Sequence, residues 1–216
     1  MFGGLPFFDM YVRSFAMWAL TAASIVGLTF CIERWRYFHK SRERISEFIS
    51  RIGEKVRKGE FSECLQDCGE RDTPASRVVR EGLKNQTTDE TAIRELMTNA
   101  ISKERMKFEN NIGIIGTISH ISPLLGLFGT ITGIIRSFHD IAVTGSGGSS
   151  VVAMGVAEAL VTTAAGIIIA VPCVIVYNYF VRRVATINSE LEIARDDFIV
   201  RLRIYRKEQE NADKKS

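Results

Sequence analysis

Charge is what this sequence lacks along three long stretches. Residues 14–32, 110–135 and 159–181 contain no Asp, Glu, Lys or Arg, in runs of 19, 26 and 23 residues. A core helix of a soluble domain rarely needs more than about 14 uninterrupted apolar residues, so these absences disfavour a soluble fold. Cysteine is scarce as well. Of the four, Cys31 and Cys173 fall in apolar runs, and Cys64 and Cys68 stand four apart in a polar segment. A zinc site needs two further Cys or His nearby, and His39 is distant in sequence, so no metal is expected. No Ser/His/Asp set, paired carboxylate site or cofactor fingerprint stands out, which leaves enzyme chemistry and a cofactor without support. A basic n-region and a small-residue cleavage site are also missing ahead of the first apolar run, so that run reads as a retained span.

What is present is segregated charge. Seventeen of the 28 Lys and Arg lie between Glu33 and Asn111, and nine lie from Arg182 onward. In the first of these segments 15 Asp and Glu are interspersed among the bases, so no nucleic-acid footprint forms. Each charge-free run can cross roughly 30 Å of hydrocarbon at about 1.5 Å rise per residue. Glu33, Arg34, Trp35, Arg36, Tyr37, His39 and Lys40 follow the first run as the aromatic and basic belt expected where a helix leaves the membrane on the cytoplasmic side. The fold class is therefore an all-α membrane protein with three transmembrane helices. The expected order is an external N-terminus at 1–13, a first span at 14–32 and a cytoplasmic helical segment at 33–109. A second span at 110–135, an external hairpin at 136–150, a third span at 151–181 and a cytoplasmic C-terminal helix at 182–216 complete it.

Local signals refine this plan. Ile45, Phe48, Ile49, Ile52 and Val56 repeat at helical spacing before the breaker Gly59, and Asp72, Thr73 and Pro74 mark a turn. Thr87 and Glu90 have capping-box spacing ahead of Ile93, Leu96, Met97, Ala100 and Ile101. Without a breaker before the second run, the pattern predicts one long helix from Asp89 into the membrane, kinked near Pro123. The third span also extends into the cytoplasm, because Val184, Ile187, Leu191, Ala194, Phe198, Leu202 and Tyr205 continue a three-and-four spacing. That stripe fits a self-contained bundle and a subunit interface equally well. The glycine-rich stretch Gly145 to Ser150 has no following Lys and no preceding strand, which excludes a phosphate loop and leaves a flexible turn, with Ser149 or Ser150 able to cap the third helix.

Glu158 is the residue that carries chemistry. It stands about two turns inside the third helix, between Ala157 and Ala159. A charge facing lipid costs several kcal/mol, so an intramembrane acid is expected to face a bundle interior or a wet path and to exchange a proton, the alternative being a helix that protrudes and leaves Glu158 in the external headgroup zone. Thr162 and Thr163 follow it, while Thr117, Ser119, Ser122, Thr130 and Thr132 line the second span. His120 is a secondary candidate for a proton relay. Gly126, Gly129, Gly133 and Gly166, with Ala164, Ala165 and Ala170, allow close helix approach, and Gly129 with Gly133 makes a GxxxG pair. The first span, with no acid, is expected to face lipid.

Three runs carry a family resemblance: Pro123 to Thr130 (PLLGLFGT), Gly155 to Gly166 (GVAEALVTTAAG), and Ala170-Val171-Pro172 with Tyr177-Asn178. They resemble the ExbB/TolQ/MotA family of proton-channel motor subunits, most of all its ExbB members. Met154 departs from the pattern, standing where many members have Pro before the glycine. The resemblance implies a pentamer around a dimer of a single-span ExbD-like partner whose membrane helix bears an Asp. It also implies that Glu158 is the family's acid and that Thr130 and Thr163 line the ion path; Thr162 and His120 are secondary positions by the reading of the residues alone. The implied function is ion-driven movement of that partner in the bacterial inner membrane, energising TonB-dependent outer-membrane transport. A TolQ-like or gliding-type motor is the alternative within the family. From another class, a non-conducting membrane scaffold would use Glu158 as a structural ion-pair partner.

Overall fold

The computed structural model describes residues 14–40, 45–144 and 149–214. The N-terminus at 1–13 and the glycine-rich turn at 145–148 lie outside the described residues. Among the described residues the chain is helical, without strands, in seven helices: α1 Phe15–Lys40, α2 Ile45–Lys58, α3 Phe61–Glu70, α4 Pro74–Lys84, α5 Glu90–Glu109, α6 Ile112–Thr144 and α7 Ser149–Asp213. Three of these, α1, α6 and α7, are long and apolar enough to cross a membrane. The 65 residues of α7 span roughly 100 Å, about three hydrocarbon thicknesses.

The chain divides into two compact units. The first comprises residues up to Trp35 together with Asn111–Phe180, and the second comprises Arg36–Asn110 and Val181–Ser216. The second is a small helical bundle with a conventional core. Phe48, Ile52 and Val56 from α2, Cys64 and Cys68 from α3, Val78, Val79 and Leu83 from α4, and Ile93, Met97 and Ile101 from α5 are buried. Val184, Ile187, Leu191, Ala194, Phe198 and Leu202 of α7 are buried too, so the stripe is covered by the chain's own helices. Tyr205, at its end, is only half-buried and stacks edge-on against Phe61, with ring centroids 5.1 Å apart. Gly59 ends α2 at φ +80°, a left-handed conformation that glycine adopts without a Cβ penalty.

The structure departs from the sequence pattern in two places. The helix expected to run unbroken from Asp89 is two helices, because Asn111 adopts φ 61° between α5 and α6. Asparagine tolerates this region better than other L-residues, so Asn110-Asn111 breaks the helix without Gly or Pro. The cap of α5 is Asp89, whose side chain accepts from the Thr91 N–H, rather than Thr87. A reciprocal capping box occurs instead at Thr73 and Ser76, where the Pro74 turn opens α4. Pro123 lies within α6, which continues past Ile135 to Thr144.

The second unit also contains a buried ion pair. Arg77 Nε and Nη2 donate to the two carboxylate oxygens of Glu104 at 2.9 and 2.7 Å, and Lys107 Nζ donates to Glu104 at 2.7 Å. Burial pushes the Glu104 carboxyl up, but the hydrogen bonds from Arg77 and Lys107 outweigh it and hold the group below its ordinary value of 4.5. The Cys64 thiol is pushed up to about 11, mainly by burial, which leaves it a poor nucleophile at neutral pH.

Candidate functional site

Helices α6 and α7 meet along an antiparallel seam built from small residues. A Cβ built on Gly166 would stand 2.5 Å from the Ser122 carbonyl oxygen, and one on Gly126 would stand 3.0 Å from the Thr163 Cα. Further along, Gly129 packs against Thr162, Gly133 against Ala159, and Gly155 against Ser137. Residue numbers thus fall along α7 as they rise along α6, and every rung uses a glycine to bring the backbones close. Ser137 and Gly155 extend the seam beyond the glycines that the sequence pattern picked out. Their spacing from Gly133 and Ala159 continues the same three-and-four rhythm, which is the signal by which they are found.

The tightness of this seam has a testable consequence. Gly166→Ala forces backbone apart, since its obstacle is a carbonyl oxygen, and is expected to cost about 1–3 kcal/mol. Gly113→Ala, where a Cβ meets nothing within 4 Å, is expected to be neutral or mildly stabilising. Thermal denaturation of both variants in detergent measures the contrast. Equal melting temperatures would show that the seam is loose.

The candidate residues sit on this seam. Thr163 Oγ1 donates across it to the Gly126 carbonyl at 3.0 Å, a bond between residues 37 apart in sequence. Thr162 is buried against Gly129. Thr130 is half-buried on α6 and donates to its own helix, to Leu127 O at 2.6 Å. Glu158 lies on α7 one helical turn before Thr162; its side chain lies outside the described residues, as do those of Ser149 and Ser150. His120 is exposed on α6, its Nδ1 2.6 Å from Gly116 O and 3.2 Å from Ser119 Oγ. A carbonyl oxygen only accepts, so the Gly116 contact places the proton on Nδ1. Thr117, Ser119, Ser122 and Thr132 each donate to a carbonyl of their own helix.

The first helix lies along part of the seam. Ala16 and Leu20 are buried, and a Cβ built on Gly129 would stand 3.2 Å from the Ala16 Cβ. Gly27 lies against Cys173 and Ile118. Its other face leaves Phe15, Trp18, Ile25, Leu28 and Ile32 exposed, as expected of a helix bordered by lipid.

These features define an all-α membrane protein whose hydroxyls and small residues gather between two apolar helices. Residues 70–193 match the model of the MotA/TolQ/ExbB proton channel family, and the chain belongs to that family. It is 31% identical over 198 residues to the Tol-Pal system protein TolQ of Pseudomonas aeruginosa, covering 85% of this chain and 82% of that protein. It is 30% identical over 195 residues to the biopolymer transport protein ExbB of Pseudomonas putida, covering 86% of this chain and 58% of that protein. A biopolymer transport protein ExbB homolog of Methanothermobacter thermautotrophicus is 27% identical over 175 residues, which cover 81% of this chain and 62% of the relative. The chain thus spans less than two thirds of the length of the latter two.

Proposed function

We propose that the chain is a channel-forming motor subunit of the bacterial inner membrane, in which ion flow moves a single-span ExbD-like partner bearing an intramembrane Asp. Membership of a proton channel family supports the class of activity. The observation that carries the site is the Thr163 to Gly126 hydrogen bond across the α6–α7 seam, one turn of α7 beyond Glu158. In this reading Glu158 binds and releases the ion, and Thr130 and Thr163 line its path, with Thr162 and His120 as secondary positions. Each charge crossing 100 mV releases about 2.3 kcal/mol, so a few ions per cycle can bias a conformational equilibrium of several kcal/mol. The N-terminus lies outside and the C-terminus in the cytoplasm, by the excess of Lys and Arg on residues 33–109 and 182–216. The process served is TonB-dependent transport. The coverage of the TolQ relative makes a Tol-type assembly the second reading.

Co-reconstitution tests this proposal. The chain and a single-span ExbD-like protein are placed in liposomes carrying an internal pH dye, and their mass is measured by native mass spectrometry. The expected result is a homopentamer holding the partner, with inward proton flux on imposing a potential. An assembled complex that conducts neither protons nor sodium would establish the scaffold reading instead.

A further inference from the structure

The second unit contains a groove that the ion path does not use. It lies between α4 and α5 and has a volume of about 810 Å³. Its walls bear Arg77, Arg80, Lys84, Lys103 and Lys107 against two carboxylates, Glu81 and Glu104, an excess of three cations. Glu104 is already neutralised by Arg77 and Lys107. Glu81 reaches Lys84 only at 3.5 Å, Arg80 gives one bond to the Cys68 carbonyl, and Lys103 is exposed without an ion pair among the described residues. Positive charge is therefore left over in a concavity.

The lining is not uniformly polar. Leu96 and Ala100 line it as well, and Met106 is 70% exposed, an apolar surface that a free inorganic anion would not use. Asn110 is the groove's last residue in sequence, and only Asn111 separates it from the apolar helix α6. Lysines at such a boundary extend their heads to the interface while their stems cover apolar surface. We infer that this groove binds the headgroup of an anionic phospholipid, with Lys84, Lys103 and Arg80 facing the phosphate and Met106, nearer the start of α6, the glycerol and first methylenes. This goes beyond the motor reading.

Native mass spectrometry of the full chain in detergent, titrated with phosphatidylglycerol or phosphatidylcholine, tests the site. Lys84→Gln with Lys103→Gln is the informative variant, since both side chains are exposed and neither belongs to the core. The expected result is retention of phosphatidylglycerol over phosphatidylcholine, with the variant weakening the anionic lipid roughly tenfold or more and leaving the neutral one unchanged. Equal retention of the two lipids, or unchanged phosphatidylglycerol binding in the variant, would overturn the assignment. Loss of phosphatidylglycerol in millimolar inorganic phosphate at constant ionic strength would reassign the groove to a soluble anion. Tighter, lysine-dependent binding of a polyglutamate peptide would reassign it to an acidic protein segment.

Discussion

Glu158→Gln is expected to reduce energised function to the level of a strain lacking the protein, with the complex still assembled. The amide preserves the size of the side chain and its capacity for hydrogen bonds, but it cannot take up and release a proton, so only the ion-carrying step is removed. Glu158→Ala is expected to behave alike. Two other roles for the acid give different results. A residue in the headgroup zone would tolerate Gln with full activity, and a structural ion-pair partner would loosen the complex, because the neighbouring charge is left buried and unpaired. Transport activity and oligomer mass measured on the same preparation separate the three. Full activity in a correctly assembled Gln variant would falsify the ion-carrier role. Thr130→Val and Thr163→Val are expected to lose less, since water can replace a path hydroxyl where the cavity is wet. Of the two, Thr163→Val has the additional effect of removing the bond to the Gly126 carbonyl.

The parts of this architecture legible in the sequence are those governed by composition over many residues. Three charge-free runs announce α1, α6 and α7, since no other solvent accepts that much uninterrupted apolar helix. The stripe from Val184 to Leu202 announced a buried face, but its period could not say whether the chain or a second copy covers it. The structure places Phe198 against Gly82 and Met97 of the same chain. Features set by single residues were harder to read. Nothing in Asn110-Asn111 signals a break as strongly as Gly or Pro would, and the choice of Asp89 over Thr87 as a cap depends on which residue takes extended backbone. Long-range pairs were invisible for a different reason. The Thr163 to Gly126 and Arg77 to Glu104 contacts join residues on separate helices, and helical periodicity carries no information about the register between helices.

Arg77→Met is expected to destabilise the second unit by about 2–4 kcal/mol. Glu104 is 3% exposed, so once Arg77 is gone its carboxylate depends on Lys107 alone. The cost lies less in the lost attraction than in the buried charge left behind, which is why Arg77→Met with Glu104→Leu is expected to recover most of the loss. The pH dependence distinguishes this from simple loss of packing. Because the folded carboxyl titrates below its ordinary value of 4.5, its contribution is present above that value and is lost as the pH falls through the folded one. In the Arg77→Met variant burial is less opposed and the folded value rises, so this carboxyl's loss of stability on acidification shrinks or reverses, and the deficit relative to the parent narrows as the pH falls, whereas a packing loss would be independent of pH. Buried Cys64 and Cys68 supply the probe, since a thiol-reactive dye reports their exposure on heating in a Cys31→Ser, Cys173→Ser background. Helical ellipticity follows the acid limb, where that dye reacts poorly. A melting temperature within a degree of the parent, with the same dependence on pH, would show that Lys107 alone satisfies Glu104.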